Sequence, residues 1–370
     1  MIEKSIRMMI SGGGTGGHIF PAIAIADAVR VLDPGAEILF AGAKGKMEMD
    51  LVPQSGYRIE GLDIAGYQKK NWKATLSLPF LILRSLKQAA AILREFAPRV
   101  VVGTGGYASF PLLWTAERKG IPVLIQEQNS LAGKANRLLG RKAARVCVAY
   151  EGMERFFSPD KIILTGNPVR RPLSVAAGDR EQALLRFGLD PGSRTVLAVG
   201  GSLGARSVNL ALQKNLEEFR KAGVQLIWQT GKPFYNQALE AARGYEGQVK
   251  VFDFIRDMNR AYQAGDVVIS RAGALSISEL CLVGKPAVLV PYPFAAQDHQ
   301  TRNALYLVQR DAALMVKDNQ AETELVKKTF MLMENEKMRE ILSANLARFA
   351  VPDADARIAR EVLDLAKSEN

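Results

Sequence analysis

The chain has 370 residues, enough for two or three domains that each bury a core of their own. Hydrophobic residues make up 48% and charged residues 24%, a balance that excludes a disordered or a fibrous protein, and the net charge is +11. Two cysteines are too few for a disulfide framework. We find neither a secretory signal nor a stretch of roughly 18–20 apolar residues that would span a membrane, so we expect a cytoplasmic protein.

The first part of the chain alternates short apolar runs with longer segments of helical period. This alternation predicts a doubly wound α/β domain with a parallel sheet. The predicted strands are 5–11, 37–41, 100–103, 123–126, 145–149 and 162–165, and the predicted helices are 21–32, 79–96, 110–119 and 133–139.

The same alternation starts again after a proline- and arginine-rich segment, GNPVRRP at 166–172, which is the predicted linker between domains 1–165 and 173–351. Each part opens with a strand, a glycine cluster and a helix. We therefore predict two Rossmann-like domains with parallel sheets that face an interdomain cleft. The strands predicted for the second are 195–199, 225–229, 250–253, 266–270, 287–290 and 313–316.

The tail, residues 352–370, is predicted to hold one more helix. Pro352 interrupts the helical pattern, which resumes over 354–366 with Ile358, Val362 and Leu365 on one face. From its residues alone this helix could pack on either domain. Asp353 and Asp355 match an acid-x-acid metal pattern, but at a helix start we interpret them as caps.

A glycine-rich segment, GGGTGGH at 12–18, follows the first predicted strand and precedes the first predicted helix. Glycines let the backbone approach an anion, and the N–H groups at a helix start favour negative charge. The spacing also satisfies the dinucleotide fingerprint, but that fingerprint needs an acid at the end of the second strand, where residues 40–43 are FAGA. Glu48 and Asp50 come too late. An anion site and a turn needed only for close packing both remain open.

Three further turns of small residues follow predicted strands, at 103–107, 200–204 and 271–276. Ligands of open parallel sheets bind at the carboxyl ends of the strands, so the four turns together predict one site, although any single turn could be architectural. None matches a P-loop. The helix start within 270–279 could hold a phosphate, and Glu279 could accept bonds from a ribose diol or be a solvated helix residue.

Two histidines occur in the chain. His18 lies at a helix start behind the glycine segment, where the helix dipole favours a neutral imidazole that can act as a base. His299 lies in the polar cluster QDHQTRN at 297–303. Either histidine could instead cap a helix or pack. Because the histidines and cysteines have no zinc spacing, we predict no metal.

A basic and apolar segment, residues 66–99, carries seven basic residues and one acidic residue over 68–99. Leu83, Leu86, Ala90 and Leu93 share a helical face that we predict to be core. Apolar residues among Lys and Arg suit an anionic bilayer surface, although an ordinary solvated helix remains an alternative. Nucleic acid is disfavoured because aromatic residues are scarce. The predicted membrane contacts are Lys69, Trp72, Leu76, Phe80, Leu81 and Arg84.

Over nearly its whole length the sequence resembles the MurG-type N-acetylglucosaminyltransferases of bacterial peptidoglycan synthesis. The motifs that carry the resemblance stand in the order and spacing of that family. They are GGGTGGHIFPAIAIA at 12–26, GTGGYAS at 103–109, QEQNSLAGKANR at 126–137, GNPVR at 166–170, GGSLGARSVN at 200–209, SRAGALSISE at 270–279 and DHQTRNA at 298–304.

The resemblance implies a GT-B fold whose final helix crosses back to the N-terminal domain. It also implies inverting transfer of N-acetylglucosamine (GlcNAc) from UDP-GlcNAc to the C4 hydroxyl of N-acetylmuramic acid in undecaprenyl-pyrophosphoryl-MurNAc-pentapeptide (lipid I), which gives lipid II. No cofactor and no metal ion are expected. The alternatives are another GT-B glycosyltransferase acting on a glycolipid or an aglycone, and a binding module that does not turn over.

The resemblance also implies the roles of individual residues. His18 is a candidate general base, and the role of His299 is open. The implied donor site, in which backbone near Ile255 reads uracil and Glu279 holds the ribose, comprises Thr15, Gly16, Gly17, Asn129, Arg170, Ser202, Ile255, Ala274, Leu275, Ser276, Ile277, Ser278, Glu279 and Gln300. The candidates for the acceptor pyrophosphate are Gly13, Gly14, Gly105, Gly106 and Tyr107.

The implied location is peripheral, on the cytoplasmic face of the bacterial inner membrane. The expected partners are UDP-GlcNAc, the undecaprenyl-linked acceptor and anionic inner-leaflet phospholipids, with other cell-wall and division proteins as further candidates and no nucleic acid.

Overall fold

The computed structural model describes residues 5–64, 72–169, 180–201 and 204–368. The chain forms two compact units, the first from Met1–Arg170 with Pro352–Asn370 and the second from Arg171–Val351. Each unit has a parallel sheet with helices on both faces. The predicted α/β class is confirmed.

The sheet of the first unit has seven strands in the order β3-β2-β1-β4-β5-β6-β7. The chain fills one side of β1 and then returns to fill the other, so the strand order reverses between β1 and β4, where ligands of such sheets bind. The strands are β1 (Arg7–Gly12), β2 (Glu37–Ala43), β3 (Arg58–Leu62), β4 (Val100–Gly105), β5 (Val123–Glu127), β6 (Arg145–Val148) and β7 (Ile162–Leu164).

The six strands predicted from sequence for this unit are present, and β3 was missed. Arg58 and Glu60 give this edge strand a polar face, so it lacks the apolar run of a buried strand. The helices are α1 (Gly16–Leu32), α2 (Glu48–Gln54), α3 (Trp72–Phe96), α4 (Phe110–Arg118), α5 (Lys134–Leu139) and, from the tail, α15 (Ala354–Lys367).

The tail helix α15 packs on the first unit. Ile358 and Val362 are fully buried in the same cluster as Ile25 of α1, as the predicted apolar face requires. Asp353 is the N-cap residue of this helix, but the predicted capping by its side chain is wrong. Asp353 makes no side-chain cap and instead pairs with Arg357 one turn later, at 2.9 Å. The Asp355 carboxylate accepts the N–H of the next residue.

The sheet of the second unit has six strands in the order β10-β9-β8-β11-β12-β13, with the reversal between β8 and β11. All six were predicted: β8 (Thr195–Val199), β9 (Gln225–Gln229), β10 (Val249–Phe252), β11 (Val267–Ser270), β12 (Ala287–Leu289) and β13 (Leu314–Met315). The helices are α6 (Arg180–Arg186), α7 (Arg206–Lys214), α8 (Leu216–Lys221), α9 (Tyr235–Ala241), α10 (Met258–Ala264), α11 (Ala274–Val283), α12 (His299–Val308), α13 (Ala321–Glu334) and α14 (Glu336–Ala347).

Candidate active site

His18 lies in the first turn of α1, at the point where the strand order of the first unit reverses. Its imidazole is half-buried against the glycine turn after β4, and a Cβ built on Gly105 would lie 3.1 Å from His18 Nδ1. Gly106, at φ +81°, would place a Cβ 2.3 Å from the Gly13 carbonyl. Only glycine therefore lets the turns after β1 and β4 approach so closely.

A buried polar network determines which nitrogen of His18 carries the proton. His18 Nδ1 lies 2.9 Å from the Thr104 carbonyl oxygen and 3.2 Å from Gln128 Oε1. Both oxygens can only accept, so Nδ1 carries the proton and donates it. In the neutral ring, Nε2 then holds the lone pair of a general base.

The Gln128 carboxamide is held in turn by its own neighbours. Its amide donates to the Thr104 carbonyl at 2.7 Å and to the Gln126 carbonyl at 3.1 Å. Gln126 donates to Asn167 Oδ1, and Asn167 donates back to the Gln128 carbonyl, both at 3.0 Å. The three side chains are at most 4% exposed, so the acceptor that faces His18 has a fixed orientation.

Glu48, at the start of α2, places a fully buried carboxylate under the glycine turn after β1. Its two oxygens accept the N–H groups of Gly14 and Ala43, both at 3.1 Å. The Gly13 N–H donates to the Gly105 carbonyl at 3.4 Å. The N–H groups of Gly13 and Gly14 are thus used inside the protein, and a bound phosphate would meet a carboxylate beside them.

A second buried carboxylate, Glu127 at the end of β5, organises the loop that follows. It accepts the N–H groups of Asn129 and Gly133 at 3.1 and 2.9 Å, and Asn136 Nδ2 at 2.9 Å. Asn136 Oδ1 is buried and has no hydrogen-bond partner within the described part of the chain. A Cβ built on Gly105 would lie 3.3 Å from Asn136 Nδ2, so this side chain borders the glycine turn after β4.

In the second unit, α11 begins directly after β11, beside the reversal of strand order. Its first N–H groups have no partners within the helix and can bind an anion. Ala274 and Ser276 are half-buried there, whereas the Ile277 side chain is 2% exposed and lies in the core. The Ser278 hydroxyl donates to the Ala274 carbonyl at 3.0 Å. The backbone of this turn is therefore better suited to bind a ligand than these last two side chains.

Three predicted contacts of the second unit already have partners inside the protein. The Ile255 N–H donates to Gln229 Oε1 at 2.8 Å, and Gln229 Nε2 donates to the Gly201 carbonyl at 3.2 Å. Glu279 Oε2 accepts the Tyr262 hydroxyl at 2.9 Å. Gln300 lies in the first turn of α12, and its Oε1 accepts the Tyr292 N–H at 2.9 Å. The Nε2 group of Gln300 takes no part in this hydrogen bond.

Comparison with known proteins assigns the chain to a family. Residues 8–148 match the glycosyltransferase family 28 N-terminal domain, and residues 195–358 match its C-terminal domain. The chain belongs to glycosyltransferase family 28. It is 51% identical over 368 residues, 99% of both chains, to a UDP-N-acetylglucosamine–N-acetylmuramyl-(pentapeptide) pyrophosphoryl-undecaprenol N-acetylglucosamine transferase of Cytophaga hutchinsonii. A protein of the same name from Bacteroides thetaiotaomicron is also 51% identical, over all of both chains.

The fold gives the same assignment. The crystal structure of MurG from Acinetobacter baumannii matches with a TM-score of 0.77 and 28% identity, over 97% of this chain and 99% of that one. The resemblance to MurG-type transferases and the predicted GT-B class are therefore confirmed.

Several predicted site residues of this family 28 chain lie outside the described residues. They are Lys69, Arg170 and Ser202. Trp72 and Leu76 belong to α3, but their side chains also lie outside the described part. Within the described residues, no group of three histidine, cysteine or acidic residues could hold a metal ion.

The predicted membrane segment is helical in α3, but its inner face differs from the prediction. Leu83, predicted to be core, is 60% exposed, and Phe80 is 80% exposed. Leu93 is buried as predicted, whereas Leu86 and Ala90 are half-buried. Ser85 and Ala89 are buried with Leu93, because the face that meets the sheet repeats every four residues.

The exposed face of α3 in the described residues is apolar and basic. Phe80, Leu83 and Lys87 follow one another at the spacing of a single helical face, whereas Leu81 is half-buried. Arg84 lies on the same face and pairs with Asp63 at 2.9 Å. No helix among the described residues is both long and apolar enough to cross a bilayer.

Sequence reasoning missed the residues that hold the site together. Glu48 was considered only as a ribose ligand, and Thr104, Glu127, Gln128 and Asn136 were not singled out. The signal was present in QEQN at 126–129, a polar run at the carboxyl end of a buried strand. Such a run must be satisfied by hydrogen bonds, so it marks an organised polar site.

Proposed function

We propose that this chain transfers GlcNAc from UDP-GlcNAc to the C4 hydroxyl of MurNAc in undecaprenyl-pyrophosphoryl-MurNAc-pentapeptide, forming lipid II. The observation that carries the proposal is the 51% identity to the Cytophaga hutchinsonii transferase over 99% of both chains. At this identity and coverage, the donor, the acceptor and the reaction are expected to be shared.

In this reaction His18 acts as the general base through Nε2. The nitrogen takes the proton of the C4 hydroxyl while that oxygen forms a bond to C1 of GlcNAc. The bond from C1 to the diphosphate breaks on the opposite face, and UDP leaves with the electron pair, so the configuration at C1 inverts. The hydrogen bond from Nδ1 to the Thr104 carbonyl supports this assignment, because it leaves Nε2 as the basic nitrogen.

The donor binds to the second unit. The first N–H groups of α11 neutralise the diphosphate, Glu279 accepts hydrogen bonds from the ribose, and the backbone at Ile255 meets the uracil edge. Recognition through the Ile255 N–H requires the Gln229 carboxamide to move aside, since it accepts that N–H at 2.8 Å. Because backbone and helix-end donors stabilise the leaving group, we propose that no divalent cation is required.

The acceptor binds to the first unit. Its pyrophosphate is bound by Gly105, Gly106 and Tyr107. Gly13 and Gly14 are not part of this site, because the Gly14 N–H already donates to the Glu48 carboxylate at 3.1 Å.

The enzyme acts at the cytoplasmic face of the inner membrane as a peripheral protein. The face of α3 formed by Phe80, Leu83 and Lys87 supports this, because apolar side chains beside basic ones suit the headgroup region of anionic phospholipids.

The test is transfer by the purified full chain from radiolabelled UDP-GlcNAc to lipid I, with and without EDTA. We expect labelled lipid II at equal rates in both, with the new linkage of opposite configuration to the donor. Transfer only to other glycolipids or aglycones would support the alternative GT-B activity. Loss of turnover in EDTA would overturn the metal-free mechanism, and retained configuration would overturn inversion.

A further inference from the structure

The hydroxyl of Tyr262 is directed at the carboxylate of Glu279 from inside the second unit. Tyr262 belongs to α10, is 3% exposed and packs in the same cluster as Ile277 and Leu280 of α11. Its hydroxyl donates to Glu279 Oε2 at 2.9 Å. A core residue of one helix thus holds the side chain of a candidate ligand-binding residue on the next.

We propose that Tyr262 is a positioning residue that sets the Glu279 carboxylate to accept the ribose diol of a nucleoside diphosphate. The inference deepens the proposed function and rests on it for the identity of the donor. It assigns to the donor site a residue that makes no contact with the ligand itself.

The chemistry of the pair supports a fixed direction for the hydrogen bond. A phenol has one proton to donate, and an ionised carboxylate can only accept. Burial and the nearby Glu279 charge raise the pKa of Tyr262 well above its ordinary value, so the phenol keeps its proton. One carboxylate oxygen is therefore held by the tyrosine, with the phenol as the donor.

The position of Glu279 explains why such a support matters. Ile277 and Leu280 on either side of it are buried, which fixes the helix but leaves the half-buried glutamate side chain with three rotatable bonds. An unsupported glutamate would lose this freedom only on binding the ligand, and that loss would weaken binding. The hydrogen bond from Tyr262 removes part of that freedom beforehand.

The decisive variant is Tyr262→Phe in the full chain, because phenylalanine keeps the ring in the core and removes only the donor. We expect the KM for UDP-GlcNAc to rise about tenfold while kcat changes less than twofold. Calorimetry with UDP, 2′-deoxy-UDP and 3′-deoxy-UDP should show that the preference for UDP over at least one deoxy compound shrinks. That ratio of Kd values does not depend on how much protein is folded.

A matched control exists in the same unit. The Tyr245 hydroxyl also contacts a glutamate, Glu217, at 3.3 Å, so Tyr245→Phe removes a comparable group elsewhere. We expect its KM and its Kd ratios to equal those of the wild type. In a Glu279→Gln background, Tyr262→Phe should add little to the loss, because it acts through the carboxylate.

Two outcomes would overturn the inference: an unchanged KM with an unchanged Kd ratio, or a fall in kcat alone. Either result with a wild type that binds UDP and forms lipid II would leave the proposed function intact. A wild type that binds no UDP would instead refute the proposed donor site.

Discussion

The two units of the chain begin alike, with a strand and a glycine-rich segment, but place the backbone N–H groups that a ligand could use at different points. In the first unit the N–H groups of Gly13 and Gly14 bind a carbonyl and the buried Glu48 carboxylate, and the turn supports His18. In the second unit the corresponding strand β8 lies beside β11, and the first N–H groups of α11, which follows β11, have no acceptor within that helix. A glycine turn after a strand therefore does not by itself specify an anion site.

The largest expected effect is a fall in kcat, which distinguishes a variant of the first unit from one of the second. His18→Gln removes the proposed base, so kcat should fall about 10²- to 10⁴-fold while the Kd for UDP stays constant. Glu279→Ala, in the second unit, should instead raise the KM for UDP-GlcNAc. Transfer assays and calorimetry on both variants measure the contrast.

A smaller change tests how His18 is held. Gln128→Ala removes the acceptor 3.2 Å from Nδ1 and leaves the Thr104 carbonyl in place, so we expect about a tenfold loss of kcat. If His18→Gln retains nearly full activity, the base lies elsewhere and the Gln128 result loses its meaning.

The next effect concerns which unit meets the membrane. Phe80→Ser with Leu83→Ser should weaken sedimentation with anionic vesicles about tenfold or more, because it removes the exposed apolar groups beside Lys87. Phe294→Ser is the matched control from the second unit, since Phe294 is 82% exposed against 80% for Phe80. Equal loss of vesicle binding in the double variant and in Phe294→Ser, or no loss in the double variant, would contradict a membrane-binding surface that belongs to the first unit.

The sequence was sufficient for the order of strands and helices but not for their exact limits. Apolar runs predicted every strand except β3, whose alternating polar residues hide it at a sheet edge. Prolines were misleading at helix starts. α1 begins at Gly16 and α3 at Trp72, ahead of Pro21 and Pro79, so both helices contain the proline that was expected to begin them.

The candidate site was predictable where a motif marks it and not where a contact joins distant parts of the chain. His18 could be named from its place behind the glycine segment. Its partners Thr104 and Gln128 are 86 and 110 residues away along the chain, and only folding shows that they face the imidazole. Tyr262 is similar, because nothing in its local sequence indicates that its hydroxyl reaches Glu279.

The smallest expected effect lies away from both sites, in Glu117 of α4. Burial raises the pKa of this carboxyl to about 7, despite Lys142 and Lys161 nearby, and its Oε1 has no hydrogen-bond partner in the described residues. The folded state therefore keeps a proton that the unfolded chain releases near pH 4.5, so stability falls as the pH rises from about 4.5 to 7 and stays lower above that range.

Glu117→Gln should remove this loss and stabilise the first unit by about 1 kcal/mol above pH 7, after allowance for solvent screening of a half-buried group. Lys285 in the second unit has the opposite effect on the pH dependence of stability. Burial lowers its pKa, so this residue destabilises the folded state at pH values below its ordinary pKa. Denaturant unfolding at pH 4.5 and pH 8, with the exposed Glu95→Gln as control, measures the difference. Equal stabilisation at the two pH values would mean that the gain does not come from the charge of Glu117.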